Sequence, residues 1–170
     1  MCLIVDYQEK ILPAIADRER LIENSVKLLQ GLRILGIPMV MTAQYSKGLG
    51  VNIPPICDAA GIEEFSDKKT FSSAGCQEVL EAVKDKKYVI ICGIEAHVCV
   101  LQTVIDLKEM GYQPVLVEDC ISSRNLHDKE IALLRARDEG ALLTTSESIL
   151  FELTVTAEHE QFKQISNLVK

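Results

Sequence analysis

The sequence lacks the paired cysteines of a metal or redox motif. No C-x-x-C pair occurs among its six scattered cysteines, which are Cys2, Cys57, Cys76, Cys92, Cys99 and Cys120. This spacing argues against a zinc knuckle and against a thioredoxin-type redox site. A single domain of 170 residues also buries enough surface to be stable without disulfides. We therefore expect reduced intracellular thiols.

The sequence also lacks segments typical of export, membrane insertion or nucleic-acid binding. It opens into the apolar residues 2–5 without a basic region, and no apolar run approaches about 18 residues. These features predict a cytoplasmic protein that does not bind membranes. The formal net charge is -7, and the densest basic stretches are only residues 84–87 and the pair Lys68-Lys69. Nucleic acid is therefore not an expected ligand.

What the sequence does contain is the material for one hydrophobic core. Hydrophobic residues make up 48% of the chain and charged residues 25%, a balance typical of globular proteins. The length is close to that of one average domain, about 150 residues. We expect a single domain over residues 1–170.

Short apolar runs alternate with amphipathic stretches along the chain. The runs predict buried strands at 3–5, 38–41, 88–92, 114–117 and 141–144. Helical spacing of apolar residues predicts helices at 22–35, 79–83, 100–110 and 131–136, and a final helix at 162–168. This β-α alternation indicates an α/β protein with a parallel sheet covered on both faces. Residues 46–73 show no clear periodicity, so we expect an excursion there with at least one functional loop.

Ligands of such sheets bind at the carboxyl ends of the strands, which directs attention to three residues. Cys99 follows a predicted strand at the predicted first turn of a helix, where the helix field favours a thiolate; the alternative is a buried structural cysteine. Asp6 closes the first strand and is either a base or a cap. Lys68, in a lysine-rich stretch with Lys69, is either functional or part of a solvated charge cluster. Cys2, Cys92 and Cys120 are expected in the core.

Taken together, these residues resemble the motifs of the isochorismatase-like cysteine hydrolases over nearly the whole chain. Residues 3–8, LIVDYQ, resemble the family's apolar strand followed by D-x-Q. Residues 68–72, KKTFS, resemble its K-x-x-[FY]-S element, and residues 93–100, GIEAHVCV, resemble its G-[IVL]-x-x-x-x-C-V element. The stretches 42–50, 118–124, 143–147 and 161–165 are similar to the isochorismatase-domain-containing subgroup.

The resemblance implies a three-layer α/β/α fold with a central, mainly parallel sheet and an Asp-Lys-Cys catalytic triad. Asp6 would be the acid and Cys99 the nucleophile, with Lys68 as the triad lysine, although adjacent Lys69 leaves a one-residue ambiguity. A non-proline cis peptide would lie at Ile94-Glu95. The expected turn, which contains this cis peptide and holds the oxyanion, consists of Ile94, Glu95 and Val98. The expected substrate-pocket residues are Gln8, Gln44, Tyr45 and Phe71.

No metal or other cofactor is expected. The related nicotinamidases bind a metal through an Asp and histidines after the second strand, where this chain has Ala43, Gln44 and Tyr45. No histidine precedes His97. The family's named reaction, cleavage of a vinyl ether, does not use a cysteine nucleophile, so Cys99 disfavours it here.

The expected activity is hydrolysis of a small amide, imide or carbamoyl compound through a Cys99 thioester. Backbone N–H groups around Val98 and Cys99 would hold the oxyanion. Two alternatives remain open: a binding protein that retains the hydrolase fold without efficient turnover, and a redox-responsive thiol protein. The substrate is not identified by the sequence.

The family resemblance also implies a homo-oligomer, a dimer or larger. The apolar stretch 51–56, with Pro54 and Pro55, could be covered by a partner subunit or by its own domain.

Overall fold

A computed structural model describes all 170 residues, Met1–Lys170. Six strands form one sheet: β1 (Cys2–Val5), β2 (Met39–Gln44), β3 (Ser66–Lys68), β4 (Tyr88–Ile94), β5 (Gln113–Ser122) and β6 (Leu142–Thr144). The strand order is β3-β2-β1-β4-β5-β6, and every neighbouring pair is parallel. The order reverses between β1 and β4, which places a topological switch point at the centre of the sheet.

Eight α-helices accompany the sheet: α1 (Arg18–Ile34), α2 (Ser46–Leu49), α3 (Pro54–Ala60), α4 (Gln77–Val83), α5 (Leu101–Glu109), α6 (Leu126–Asp138), α7 (Ser146–Thr154) and α8 (Phe162–Leu168). Short 3-10 turns lie at Leu12–Ala14 and Ser73–Gly75, and a π-helical turn at Ala96–Val100 runs into α5. None of these helices combines the length and the hydrophobicity needed to cross a bilayer.

The core has two halves, one on each face of the sheet. Successive residues of a strand point to opposite faces, so Cys2 and Ile4 belong to one half, with side chains from α1, α3, α7 and α8. Leu3 and Val5 belong to the other half, with side chains from α4, α5 and α6. The chain thus forms the three layers, helices on sheet on helices, that the sequence resemblance implies.

The structure departs from the sequence expectations mainly between residues 46 and 73 and near α7. Elements α2, α3 and β3 fill much of the expected excursion, and α7 was not predicted. In the apolar stretch 51–56, Ile56 lies in the chain's own core at 0% exposure, whereas Val51 is 49% exposed. Strand β5 continues to Ser122, so residues 118–122 belong to the strand rather than following it.

Candidate active site

Asp6 directly follows β1 at the centre of the sheet, and both oxygens of its buried carboxylate have a partner. The Thr42 hydroxyl donates a hydrogen bond to Oδ1 at 2.8 Å. Lys68 Nζ lies 2.6 Å from Oδ2, and both side chains of this ion pair are almost completely buried. The Lys68 ammonium is the group that engages Oδ2, since Thr42 binds the other oxygen.

Lys68 ends β3 and turns its ammonium group inward. Besides Asp6, Nζ has three oxygen partners: Gln44 Oε1 at 2.8 Å, the Phe71 carbonyl at 2.8 Å and the Thr70 carbonyl at 3.3 Å. An ammonium group has three N–H donors and no acceptor, which suits a surrounding made of oxygen atoms. The pairing holds Lys68 in one position beside Asp6.

The adjacent lysine lies elsewhere. Lys69 is exposed, and its backbone carbonyl accepts a hydrogen bond from Gln44 Nε2 at 3.0 Å. Strand β3 ends at Lys68, so Lys69 already belongs to the following bend, and of the two lysines only Lys68 contacts Asp6. That lysine is Lys68.

Cys99 lies on the π-helical turn that follows β4, and its residue exposure is 7%. The Ile94-Glu95 peptide before this turn is cis, as the family resemblance implies. The Cys99 carbonyl accepts a hydrogen bond from Thr103 Oγ1 at 2.6 Å, and Asp6 and Lys68 lie near enough to the thiol to influence its pKa. The structure thus brings all three predicted catalytic side chains together at the carboxyl edge of the sheet.

Burial dominates the ionisation of this cluster. Loss of solvent and, next, the charge of Asp6 raise the pKa of the Cys99 thiol to about 12, against the smaller lowering effect of Lys68. Burial also raises the pKa of Asp6, although Lys68, Thr42 and the Cys99 thiol oppose that shift. The expectation that the helix terminus favours a thiolate is therefore wrong for this site, because burial and a neighbouring carboxylate outweigh it. Cys99 rests as a thiol.

Among the other cysteines, Cys76 lies near enough to the cluster for the charges of Lys68 and Asp6 to act on the pKa of its thiol. Cys2, Cys92 and Cys120 are fully buried in the core, as expected from their positions in strands. All six cysteines are free thiols, and Cys57 is the one that is not buried.

A cavity of about 320 Å³ opens beside Cys99. Its walls include five residues that the sequence predicted for the pocket or the oxyanion turn, which are Gln44, Phe71, Ile94, Glu95 and Val98. Gln44 therefore both holds Lys68 and faces the cavity. The surface of the cavity is largely apolar, which suits a small organic compound.

Gln8 and Tyr45 lie outside the walls of this cavity. Gln8 is fully buried, and its amide spans the loop between β2 and α3: Nε2 donates to the carbonyls of Gln44 and Gly50, and Oε1 accepts from the Gln44 amide. Tyr45 is 51% exposed and adopts a left-handed backbone with φ 41°. Gln8 thus shapes the loop rather than the pocket surface, and Tyr45 faces solvent.

Sequence reasoning missed several residues of the cavity wall, including two cations. These residues are Lys10, Ile11, Ala14, Leu49 and Arg124. A signal was present for two of them, since Lys10 follows the D-x-Q motif and Arg124 ends the 118–124 stretch that resembles the family. Neither position carried a periodicity or charge pattern that marked it as part of a pocket.

The turn around Cys99 offers backbone donors, but one of the expected donors is engaged. The Val98 amide donates to the Glu95 carbonyl at 3.1 Å, and the Val100 amide donates to the same carbonyl at 3.2 Å. A ligand oxygen would therefore have to compete with Glu95 for the Val98 amide. Val98 still contributes its side chain to the cavity wall.

The site holds no obvious set of metal ligands. The structure contains no group of three or more His, Cys, Asp or Glu side chains that could bind a metal ion. At the end of β2, where the nicotinamidase ligands would begin, Ala43 is buried and Gln44 binds Lys68. The absence of a metal cofactor stays a prediction.

The fold and the site define an α/β/α protein with a buried Cys-Asp-Lys cluster at a sheet switch point. Residues 1–148 match the isochorismatase domain. Isochorismatase domain-containing protein 2 of Danio rerio is 40% identical over 169 residues, which are 98% of this chain and 85% of that protein. The chain belongs to the isochorismatase family.

Two solved structures show the same architecture. The MAR1 ribonuclease of Caenorhabditis elegans superposes with a TM-score of 0.94 at 37% identity, covering 99% of this chain and 88% of that one. The YcaC gene product of Escherichia coli, described as an octameric hydrolase of unknown specificity, superposes with a TM-score of 0.91, covering 98% of this chain and 84% of that one. At 22% identity, the second likeness concerns the fold alone.

Proposed function

We propose that this chain is a metal-independent cysteine hydrolase that cleaves a small amide, imide or carbamoyl compound. Asp6, Lys68 and Cys99 would form its catalytic triad. The observation that carries the proposal is their contact beside a cavity: three residues far apart in sequence meet where a ligand can reach the thiol. A base, a fixed cation and a nucleophile are the groups that covalent acyl transfer needs.

The first step transfers the thiol proton to Asp6 as sulfur attacks. Because burial and the charge of Asp6 raise the pKa of Cys99 to about 12, the group that attacks starts as a protonated thiol at neutral pH. Proton transfer to Asp6 Oδ2 and formation of the sulfur–carbon bond therefore proceed together. The Lys68 ammonium offsets the negative charge that the cluster gains in the tetrahedral intermediate.

The second step expels the amine and leaves a thioester. The backbone amide of Cys99 is the donor that we assign to the oxyanion, because the Val98 amide already binds the Glu95 carbonyl. As the tetrahedral intermediate collapses, the carbon–nitrogen bond breaks and protonated Asp6 gives its proton to the departing nitrogen. The nitrogen leaves as a neutral amine or as ammonia.

Water then hydrolyses the thioester and restores the site. Asp6 accepts a proton from the attacking water, the carbon–sulfur bond breaks, and Asp6 returns that proton to sulfur. The acyl group leaves as a carboxylic acid, or as a carbamic acid from a carbamoyl compound. No oxidant, reductant or metal takes part in this cycle.

Two competing functions fit the site less well. A redox-responsive thiol should be exposed and of low pKa, whereas Cys99 is buried and the pKa of its thiol is raised. Ribonuclease activity, named for the C. elegans relative, requires a phosphate backbone to approach a chain of formal net charge -7. A cavity of about 320 Å³ is also small for a folded RNA, though adequate for one small molecule.

The test combines turnover with trapping of the intermediate. Purified protein is incubated with primary amides, cyclic imides and N-carbamoyl compounds. Released amine or ammonia is measured for the amides and carbamoyl compounds, and the ring-opened monoamide is measured for the imides. Acid-quenched samples are analysed by mass spectrometry for an acyl group on Cys99. We expect turnover and an acylated Cys99 peptide in the wild type, and neither in Cys99→Ser.

Cys57→Ser is the matched control, since Cys57 is the thiol that is not buried and it lies in α3, outside the cavity wall. It should retain both signals. Turnover that survives in Cys99→Ser, an added oxygen on Cys99 in place of an acyl group, or cleavage of an RNA substrate independent of Cys99 would each contradict the proposal. If none of the compounds is turned over, the alternative of a binding protein is favoured.

A further inference from the structure

Three buried hydroxyl groups connect Asp6 with Cys99 through hydrogen bonds, outside the walls of the cavity. They belong to Thr42 on β2, Ser73 on a 3-10 turn and Thr103 on α5, and all three residues are fully buried. The core on this face of the sheet consists mainly of apolar side chains from β1, α4 and α5. A buried hydroxyl is unfavourable unless it is hydrogen-bonded, so the partners of these three groups indicate what they do.

Thr42 binds both the side chain and the backbone of Asp6. Its hydroxyl donates to Asp6 Oδ1 at 2.8 Å, and its backbone carbonyl accepts the Asp6 amide at 3.3 Å. The same carbonyl accepts a hydrogen bond from Asn52 Nδ2 at 3.0 Å, which fixes it in turn. Asp6 needs such support because its φ is 54°, in the left-handed region that residues other than glycine rarely adopt. Thr42 therefore holds the carboxylate in a position that the backbone of Asp6 alone would not favour.

Ser73 links Thr42 to α5. The single hydroxyl proton of Thr42 is donated to Asp6, so the Thr42 oxygen is the acceptor for Ser73 Oγ, 3.4 Å away. The two hydroxyl groups are therefore aligned in one direction, from Ser73 through Thr42 to the carboxylate. The backbone amide of Ser73 donates to Thr103 Oγ1 at 2.8 Å. One serine thus joins the residue that holds Asp6 to a residue of α5.

Thr103 binds the turn that carries Cys99. Its hydroxyl accepts the Ser73 amide and donates to the Cys99 carbonyl at 2.6 Å. That carbonyl belongs to the π-helical turn Ala96–Val100, where the regular hydrogen-bond spacing of an α-helix is interrupted. The two ends of the hydroxyl network, which consists of Thr42, Ser73 and Thr103, are therefore the carboxylate of Asp6 and the backbone of Cys99.

We infer that Thr42, Ser73 and Thr103 are positioning residues, whose hydrogen bonds keep the Asp6 carboxylate and the Cys99 thiol at the separation that proton transfer needs. None of the three lines the cavity, so they act through Asp6 and Cys99 rather than on a substrate. A base and its proton donor must come within hydrogen-bond distance, so a small displacement of either lowers the rate. The inference rests on the proposed hydrolase function for its kinetic test but not for its titration test.

The kinetic test is a double-mutant cycle of Thr42→Val and Thr103→Val, which replace each hydroxyl by a methyl group of similar size. Each variant should lower kcat by at least about 10-fold and change KM by less than about 2-fold, because the walls of the cavity stay intact. Both variants disrupt one network, so the double variant should lose less than the product of the two single losses. Thr42→Ser and Thr103→Ser keep the hydroxyl and should retain kcat within about 3-fold.

Thr154→Val is the matched control. Thr154 on α7 is buried, and its hydroxyl donates to the carbonyl four residues earlier, that of Leu150, at 2.7 Å. Thr103 makes the same kind of bond to Cys99, but Thr154 lies outside both the hydroxyl network and the cavity wall. Thr154→Val should therefore lower the melting temperature and leave kcat unchanged. Equal losses of kcat in Thr154→Val and Thr103→Val, or independent effects in the double-mutant cycle, would overturn the inference while leaving the hydrolase proposal standing.

A titration of Asp6 tests the network without any substrate. Carbon-13 NMR of protein labelled at its aspartate carboxyl carbons follows the titration, and the Asp6 signal is the one that Asp6→Asn removes. The Thr42 hydroxyl stabilises the carboxylate and so lowers the pKa of Asp6. Thr42→Val should therefore move the midpoint of the Asp6 titration upward by about 1 to 2 pH units, and Thr42→Ser should leave it at the wild-type value.

The other titratable groups near Asp6 stay the same in these variants. They are the Lys68 ammonium and the thiols of Cys99 and Cys76. A change in the midpoint therefore reports the loss of the hydroxyl.

The titration separates the two proposals if no compound turns over. A raised midpoint in Thr42→Val, restored in Thr42→Ser, would support the network even though the hydrolase proposal had failed. If Thr42→Val does not fold, Ser73→Ala takes its place: it removes only the 3.4 Å bond and should move the midpoint upward by about half a pH unit. An unchanged midpoint in the folded variant would overturn the inference.

Discussion

Replacing Asp6 by Asn should make the Cys99 thiol more reactive and, at the same time, abolish hydrolysis. The two effects have opposite signs because Asp6 has two separable influences on sulfur. As a charge it opposes the thiolate, and after burial it is the largest cause of the raised pKa of Cys99. As a base it accepts the thiol proton, a role that an amide cannot take.

The expected size follows from the electrostatics of the pair. Two unit charges about 4 Å apart interact by about 4 kcal/mol at an effective dielectric constant of 20, a value suited to partly buried groups. That energy corresponds to about three pK units. Removing the Asp6 charge should therefore lower the pKa of Cys99 from about 12 towards that of an ordinary thiol, and Lys68, relieved of its partner, should lower it further.

The assay is alkylation of Cys99 by iodoacetamide, followed by peptide mass spectrometry from pH 7 to pH 10. In the wild type the rate should rise with pH over the whole range, because the pKa of about 12 lies above it. In Asp6→Asn the rate at pH 8 should be about 30-fold higher, since a less basic thiolate is also a weaker nucleophile and this offsets part of the gain. The Cys57→Ser background removes the competing half-buried thiol.

Lys68→Met should change the alkylation rate of Cys99 in the opposite direction. It removes the charge that lowers the pKa of Cys99, so alkylation should become slower than in the wild type. Thermal denaturation checks that each variant is folded before its rates are interpreted. A folded Asp6→Asn protein whose Cys99 reacts no faster than the wild type would refute the reasoning, because the carboxylate charge would then not act on the thiol.

Four further predictions concern the lysine pair, the central glycine, the metal and the assembly. Lys68→Gln should abolish amide turnover and Lys69→Gln should leave it within about 2-fold, and a larger loss in Lys69→Gln would reverse the assignment. Gly93→Ala should lower the free energy of unfolding by about 3 kcal/mol or more in urea titrations, because φ is 136° and a Cβ would collide with the Val5 carbonyl. Gly36→Ala is its control: a Cβ there meets nothing within 4 Å, so the free energy of unfolding should fall by only about 1 kcal/mol. Dialysis against a chelator should leave turnover within about 2-fold, and stoichiometric metal whose removal stops turnover would contradict this. Sedimentation velocity at micromolar concentration should find a dimer or larger species, and a fully active monomer would reject an assembly that completes the site.

The sequence predicted the structure best where a single pattern of residues identifies an element. Alternation of apolar runs and amphipathic stretches located five of the six strands, because buried parallel strands are almost continuously apolar. The position of Asp6 at the end of β1 followed directly. The missed strand, β3, reads Ser66-Asp67-Lys68 and carries no apolar run, since it is a three-residue strand at the edge of the sheet.

The site was harder to predict because its properties depend on what surrounds each side chain. The sequence position of Cys99 correctly indicates a helical turn but not the burial that raises its pKa. Gln8 was expected in the pocket, yet its amide satisfies three backbone groups of a neighbouring loop. Arg124 enters the cavity wall because β5, which precedes it, runs beside β4 and ends next to the turn that carries Glu95.

The placement of Lys68 on an edge strand links the proposed chemistry to local stability. Strand β3 pairs only with β2, at three positions, and its outer side has no neighbour. Edge strands of this length open more readily than the interior of a sheet, without global unfolding. The contacts of the Lys68 ammonium with its four oxygen partners therefore also stabilise strand β3. A substitution at Lys68 would remove these stabilising contacts as well as the cation. The backbone amide hydrogens of β3 would then exchange faster with solvent, while those of β1 would keep their protection.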